Sequence, residues 1–409
     1  MTAVFDHLRA AFREHRHAAS RVGVALLAGA LALLAVGGTI RVLRAADREP
    51  PPAAASGSRV VEWTATIGTA ITGLAVDDGR LYVSSDQLTV FPATCLVVGS
   101  ACPARWRGVV PDGPLSVPTA RDDRVFVGSS EGQVYAFPAT CDGEGCAPEW
   151  VGMAGSGPVS QPAANFDLVY VTSDELFAFP VACASDDLAC PPAWFADVPG
   201  RPATGPPALG NGLVVVASSS TRGGIAAYPA VCGDGCEPVW TGRTDGPATS
   251  VAVGDGFAYT VARGQLMAFP LSCTARCEPA WRGAFAPGAA FAAGASSAPA
   301  FADGRVLVGD DEGRLWTFRS TCDDERCDPT DRFEVATTPL GTPAIDGDRA
   351  IVTSANGAIA RVLLDCGPGD ACDPVRVRTL GAPALAPAVL GPDATFVGAR
   401  DGSLEAFRW

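Results

Sequence analysis

Along most of the chain, apolar and polar residues alternate in runs of five or six positions. The same runs return at a period of roughly forty to fifty residues, the sign of an internal repeat. One unit, residues 114–152, reads PLSVPTARDDRVFVGSSEGQVYAFPATCDGEGCAPEWVG. It holds four short β-patterns: a small-residue segment (SVPTA), an alternating strand (RVFVGS), a third strand (QVYAF) and a last one that carries Trp150. Turn-forming residues separate the first three, and a cysteine loop precedes the fourth. Four antiparallel strands at this period predict a propeller blade, because a single blade cannot bury both of its faces.

The third strand marks eight copies, at Phe91, Phe137, Phe179, Tyr228, Phe269, Phe318, Leu363 and Phe407. The eighth reaches Trp409 without a cysteine loop or a fourth strand. At the other end RVVEWTATI (59–67) carries Trp63, in line with the fourth-strand tryptophans Trp106, Trp150, Trp194, Trp240 and Trp281. The leading segment is therefore predicted to complete the last blade and close the ring, which removes two sheet edges. The expected fold is all-β, an eight-bladed β-propeller over residues 59–409. Asp331 and Arg376 stand where blades six and seven should have the tryptophan, so those blades are expected to pack less well against their neighbours.

Fourteen cysteines fall into seven pairs between third and fourth strands: Cys95–Cys102, Cys141–Cys146, Cys183–Cys190, Cys232–Cys236, Cys273–Cys277, Cys322–Cys327 and Cys366–Cys372. A hairpin tip brings two Cα atoms near enough to bridge. Each short closure is worth roughly 2 kcal/mol in the chain-entropy model. Zinc or redox chemistry would call for C-x-x-C spacing, which is absent. Seven bridges imply an oxidising compartment.

Composition narrows the chemistry. There is no lysine, and His7, His15 and His17 are the only histidines, so the repeat region lacks both residue types. Imidazole general bases, imidazole metal ligands and Schiff-base lysines are excluded there. A serine triad fails for want of a histidine, and among many carboxylates nothing singles out a glycosidase pair. The formal net charge of −14 repels phosphate backbones, so no nucleic-acid partner is expected.

Ahead of the repeats, nineteen uncharged residues run from Val22 to Ile40, flanked by Arg21 and Arg41. That length spans a bilayer as a helix. Arg9, Arg13, Arg16 and Arg21 favour a cytoplasmic N-terminus. The competing reading is a cleaved signal peptide, but arginines crowd the place of a cleavage site. The expected organisation is a cytoplasmic tail (1–21), a transmembrane helix (22–40), a Pro/Ala/Gly linker (41–58) and the propeller outside the cell membrane.

The units LYVSSDQLTVF, VFVGSSEGQVYAF, VLVGDDEGRLWTF and ATFVGARDGSLEAF resemble the quinoprotein-type (PQQ-like) β-propeller repeat. That resemblance covers about residues 59 to 409. It implies either an enzyme, as in quinone-dependent alcohol dehydrogenases, or a non-enzymatic scaffold, as in the lipoprotein of outer-membrane barrel assembly. The dehydrogenases cover their cofactor with a Cys–Cys dipeptide disulfide and hold Ca²⁺ with Glu, Asn and Asp. Here there is no such dipeptide, and the asparagines are only Asn165, Asn211 and Asn356.

Five of the cysteine loops are acidic (142–145, 184–189, 233–235, 323–326 and 367–371). They form either a rim for Ca²⁺ or a cationic partner, or solvated hairpin tips. The opposite face, with its second-to-third strand turns and the long Ser218–Gly224 segment, is the default binding surface. The expected function is a non-catalytic binding or scaffold module of the cell envelope, without a cofactor. Its partner would be an envelope protein, a glycan or a small ligand. The alternative is a PQQ-dependent oxidoreductase or a relic of one.

Mass spectrometry of a non-reduced digest should join each of the fourteen cysteines to its near neighbour, Cys366–Cys372 included. Cross-blade links or free thiols would refute this pairing.

Overall fold

The computed structural model describes residues 61–408 apart from 96–100, 184–187, 201–202, 204, 222, 234, 249, 285–296, 365–373 and 385. Among these residues every regular element is a β-strand. They form eight blades, each an antiparallel run of four strands. In blade 2 the order from the centre outward is Thr119–Arg121, Arg124–Gly128, Gln133–Pro138 and Trp150–Met153. The first strands meet their neighbours in a closed circle: Val389–Leu390 of blade 8 contacts Gly73–Asp77 of blade 1. Blade 8 takes its outer strand from the front of the described chain. Val61–Thr66 pairs antiparallel with Ser403–Phe407, with Trp63 opposite Ala406 and Thr66 opposite Ser403. This is the closure expected from the sequence.

Strand alternation sends neighbouring side chains to the two neighbouring blades. In blade 2, Tyr135 and Phe137 join the cluster shared with blade 1, whereas Val134 and Ala136 join the one shared with blade 3. A fourth-strand tryptophan completes six of the eight clusters. Trp106 packs on Phe137 at 6.2 Å between ring centroids, Trp150 on Phe179 at 6.0 Å and Trp240 on Phe269 at 6.3 Å. The closing tryptophan does the same: Trp63 lies 5.8 Å from Phe91. Two residues after the tryptophan the side chain must be minimal. A Cβ on Gly152 would stand 2.5 Å from the Phe179 ring, and Gly242 would meet Phe269 at 2.6 Å. Blades 3 and 8 use alanine there, at Ala196 and Ala65, both buried. Trp-x-Gly/Ala on one blade and an aromatic ring on the next thus form a repeated lock.

Three sequence expectations need adjustment. In blade 7, pairing places Val362 opposite Ala350, as Phe318 is opposite Val306 in blade 6, so Val362 rather than the half-exposed Leu363 occupies the marker position. The outer strand of that blade sets Val375, not Arg376, opposite Arg361, the place that tryptophan takes in blades 1 to 5 opposite the residue before the marker. Thirdly, the junction of blades 6 and 7 does not lack a core. Phe333 stands two residues after Asp331 and packs in one buried cluster with Val362. The large and small partners have changed sides, which restores the volume lost with tryptophan.

The cysteine loops do more than staple their own hairpins. In blade 2 the loop runs back to blade 1, where Gly145–Cys146 adds a parallel fifth strand beside Trp106–Gly108. Arg107 N–H donates to the Glu144 carbonyl at 2.8 Å, and Val109 N–H to that of Cys146 at 2.8 Å. Blades 2, 4 and 5 receive Ala189–Cys190, Ala275–Cys277 and Arg326–Cys327 in the same way. On blade 8, Cys102 N–H donates to Thr64 at 3.1 Å. These straps cover outer edges that would otherwise be open to other chains. Six cysteine pairs are bridged, from Cys95–Cys102 to Cys322–Cys327, with Cα separations of 5.6 to 6.1 Å. The seventh, Cys366–Cys372, lies outside the described residues, as do the expected tail, helix at 22–40 and linker. Among the described residues no helix is long and apolar enough to cross a membrane.

The lock yields a reciprocal test. Gly152→Val should destabilise the fold by about 1–3 kcal/mol in urea unfolding, through overpacking against Phe179. Adding Phe179→Val should return part of that loss. Strict additivity of the two changes would show that the ring and the glycine do not share one space.

Candidate functional site

Most second-to-third strand turns are packed rather than presented. The carbonyl of Gly132 accepts from Ala154 N–H at 2.8 Å, and a Cβ on Gly132 would stand 2.2 Å from the Gly155 carbonyl oxygen. Gly313, Gly357 and Gly402 meet their interblade connectors in the same manner. The long turn of blade 4 is no exception: Gly223 abuts Gly246, and Ser218 donates its hydroxyl hydrogen to the Gly200 carbonyl. These turns therefore brace the ring.

The most buried carboxylate has a similar role. Asp310, 1% exposed, accepts from Arg314 Nε at 2.7 Å, Trp316 Nε1 at 2.8 Å and the backbone N–H groups of Glu312 and Arg314 at 2.9 Å. Four donors leave it no capacity for general acid or base work. Burial, with Asp310 and Glu312 nearby, raises the pKa of the adjacent Asp311. Among the described residues no three histidine, cysteine or acidic side chains converge as metal donors. The acidic loops at 142–145 and 323–326 thus form no ion cage, while 184–187, 234 and 367–371 lie outside the described residues.

Open space is found on the outer rim instead. A cleft of about 540 Å³ runs along the outer strand of blade 3, between Phe195 and Asp197 on one side and Gly233, Gly235 and Glu237 of the blade 4 loop on the other. Glu175 and Pro192 also line it. Phe195 is 57% exposed and stacks on Phe177 at 6.0 Å, which in turn stacks on Phe179 at 6.4 Å. A second cleft of about 480 Å³ holds the equivalent place on blade 5. There Gln265 replaces Glu175, Arg282 replaces Phe195 and Arg326 replaces Gly235. Arg282 is held by Asp245 at 2.8 Å, and Glu278, Glu325 and Arg326 make that cleft more charged.

Exposed apolar side chains gather in the same sector. Of the eight large ones among the described residues, Phe166, Leu188, Phe195, Val231 and Val239 belong to blades 3 and 4, and Val109, Met153 and Leu363 to blades 1, 2 and 7. Phe166 (77% exposed) and Val231 (76%) flank a hydrogen-bonded link between blades 3 and 4. In it Asn165 Nδ2 donates to the Tyr170 hydroxyl at 2.8 Å, which donates to the Ala230 carbonyl at 2.8 Å. The Arg121 guanidinium covers the Phe166 ring at 4.4 Å. Sequence reading missed this surface because Phe195 and Phe166 sit within ordinary strand and turn patterns.

Between the carboxylates and the arginines, the described ring has its tyrosines as titrating groups. Its five tyrosines sit in or beside blade interfaces, and burial is the main cause that raises each of them. Tyr82 and Tyr170 are pushed up to about 12, and Tyr135, beside Asp112, also to about 12.

No family model matches the sequence, and no curated protein matches it. Solved structures do. Sqt1 of Saccharomyces cerevisiae shares 8% identity over 86% of this chain and 99% of its own, with a TM-score of 0.68. The computationally designed Ika8 protein has 11% identity, 86% and 100% coverage and a TM-score of 0.66. BamB from Moraxella catarrhalis has 14% identity, 85% and 98% coverage and a TM-score of 0.59. At these identities the likeness is one of fold.

With no lysine anywhere and no histidine beyond His17, stability should stay level from about pH 6 to pH 10. Above that it should fall. Unfolded tyrosines lose their protons near pH 10, whereas the buried ones hold theirs to about 12, so the unfolded state binds fewer protons across that interval. Denaturant midpoints measured from pH 6 to 12 check this, and a slope between pH 6 and 9 would contradict it.

Proposed function

We propose that this chain is a membrane-anchored, extracytoplasmic propeller that binds a partner without catalysing a reaction, as a scaffold of the cell envelope. One observation carries the reading: five of the eight large exposed apolar side chains among the described residues, and an open cleft lined by Phe195, Glu175, Asp197 and Glu237, gather on blades 3 and 4. An asymmetric patch on a repetitive, rigid frame is what a docking surface needs. The bridged cysteines favour an oxidising compartment. The apolar stretch 22–40 with its arginine-rich N-terminal flank supplies the anchor and its direction. The fold likeness to BamB agrees with a quinoprotein-type repeat in a non-enzymatic role.

Crosslinking in the native membrane should trap one dominant partner, and Phe166→Ser with Val231→Ser should reduce its yield several-fold. Unchanged yield, or no specific product, would remove the support for a binding role at this sector. The full chain in detergent, incubated with PQQ and Ca²⁺ and then desalted, should retain no quinone absorbance. A stoichiometric chromophore would favour the oxidoreductase reading.

A further inference from the structure

A chain that crosses each blade four times puts the first-to-second strand turn and the cysteine loop at one end of the blade. The second-to-third strand turn and the interblade connector fall at the other end. The two most exposed apolar side chains share the cysteine-loop end. Phe166 lies in the first-to-second strand turn of blade 3, and Val231 follows the third strand of blade 4, Gly224–Pro229. The Asn165–Tyr170–Ala230 link fixes one relative to the other, so the pair is held ready rather than loose. Charge at this end has one sign. Aspartate occupies the first-to-second strand turn of seven of the eight blades, and only blade 4, with Asn211-Gly212, lacks it. Tight turns select this residue because it enters the left-handed region readily, as Asp122 (φ 49°) and Asp123 (φ 61°) do. Arginines at strand ends pair with Asp78, Asp122 and Asp348. Asp167, the chain neighbour of Phe166, and Asp123, in the turn beside Arg121, have no ion pair among the described residues.

We infer that this end of blades 3 and 4 receives a segment of a partner protein that combines arginine with aliphatic side chains. The inference rests on the binding-module reading above and names the chemistry of the partner. The molecule displays the contact in its own structure: the Arg121 guanidinium stands over one face of Phe166 at 4.4 Å and is held by Asp122 at 3.1 Å. With 77% of Phe166 still exposed, the other ring face is open to a second cation. A guest arginine stacked there meets the charge of Asp123 and Asp167, while an aliphatic neighbour in the guest covers Val231. The aspartate turns draw a basic segment toward this end and repel an acidic one. They repel an anionic lipid surface for the same reason.

The test uses the full chain in detergent micelles and a fluorescein-labelled peptide of three Gly-Arg-Leu repeats, read by fluorescence anisotropy. The peptide should bind wild type, and more weakly as ionic strength rises. Control peptides with glutamate for arginine, or serine for leucine, should bind at least five-fold more weakly. The arginine peptide should lose at least five-fold on Phe166→Ser, on Val231→Ser and on D123N/D167N. Asparagine keeps the shape and the turn conformation at both positions and removes only the charge. Met153→Ser, an exposed change at the other end of blade 2, should bind as wild type does. Absence of binding to wild type, equal binding of the glutamate peptide, an equal loss in Met153→Ser, or full binding to D123N/D167N would each overturn the inference. A dimer of the full chain that Phe166→Ser dissociates would overturn it too, since a second copy would then occupy the surface. If the native-membrane crosslink needs Phe166 and Val231 but is unchanged in D123N/D167N, the binding role stands and the basic partner falls. If wild type yields no crosslink, the underlying reading falls.

Discussion

A tryptophan that its own blade cannot bury holds this ring together. A tryptophan side chain hides about 200 Å² when fully covered, worth roughly 5 kcal/mol by area as an upper estimate. An outer strand alone leaves that surface wet. The next blade covers it with an aromatic ring, which reaches the tryptophan only because a glycine or alanine follows two residues later. Each blade is thus an incomplete core that its neighbour completes. Ring closure follows, since an open array would leave one tryptophan unpaired. The leading strand meets this demand by placing Trp63 between Phe91 and Phe396.

The straps act on the same junctions by a different means. A short disulfide loop chiefly restrains the unfolded chain. Here the second cysteine of the bridged loop also sits beside the preceding blade's outer strand. In blade 2, Cys146 is buried in the cluster that contains Trp106 and Phe137. A local bond is in this way coupled to a contact between blades. Packing and covalent bonding converge at one radius, the outer rim, where the sheet would otherwise expose unpaired main-chain groups. The chain has no helices over its described sheets to cover those edges, so the loops take that part.

Much of the architecture was legible because the repeat is long and strict. The period, the blade number, the cysteine partners and the closure through Trp63 all follow from residues that recur at fixed offsets. What was illegible depends on exchange between copies. Asp331 reads as a lost tryptophan, yet Phe333 and Val362 restore the volume from opposite sides, and only pairing across blades reveals it. Leu363 reads as a marker because both Val362 and Leu363 are apolar; the pairing register separates them. The return of each loop to the blade before it has no sequence signal of its own. Cys-Gly-Asp-Gly-Cys and Cys-Thr-Ala-Arg-Cys look like two equal hairpin tips until one is seen to form a strand and the other is not.

That last difference changes how an outer edge is covered, not how the blades pack. Among the described residues the outer strands of blades 1, 2, 4 and 5 carry a fifth strand, whereas the sheets of blades 3, 6, 7 and 8 have four. A blade without such a strap keeps the packing against its neighbours, as the buried clusters on both sides of blade 3 show. The effect is local because each blade contacts only its neighbours. In blade 3 Phe177 and Phe179 stack behind Phe195, the longest aromatic run among the described blades, so that the junction keeps its packing. A frame redundant in its locks can leave an outer edge without a strap and remain closed.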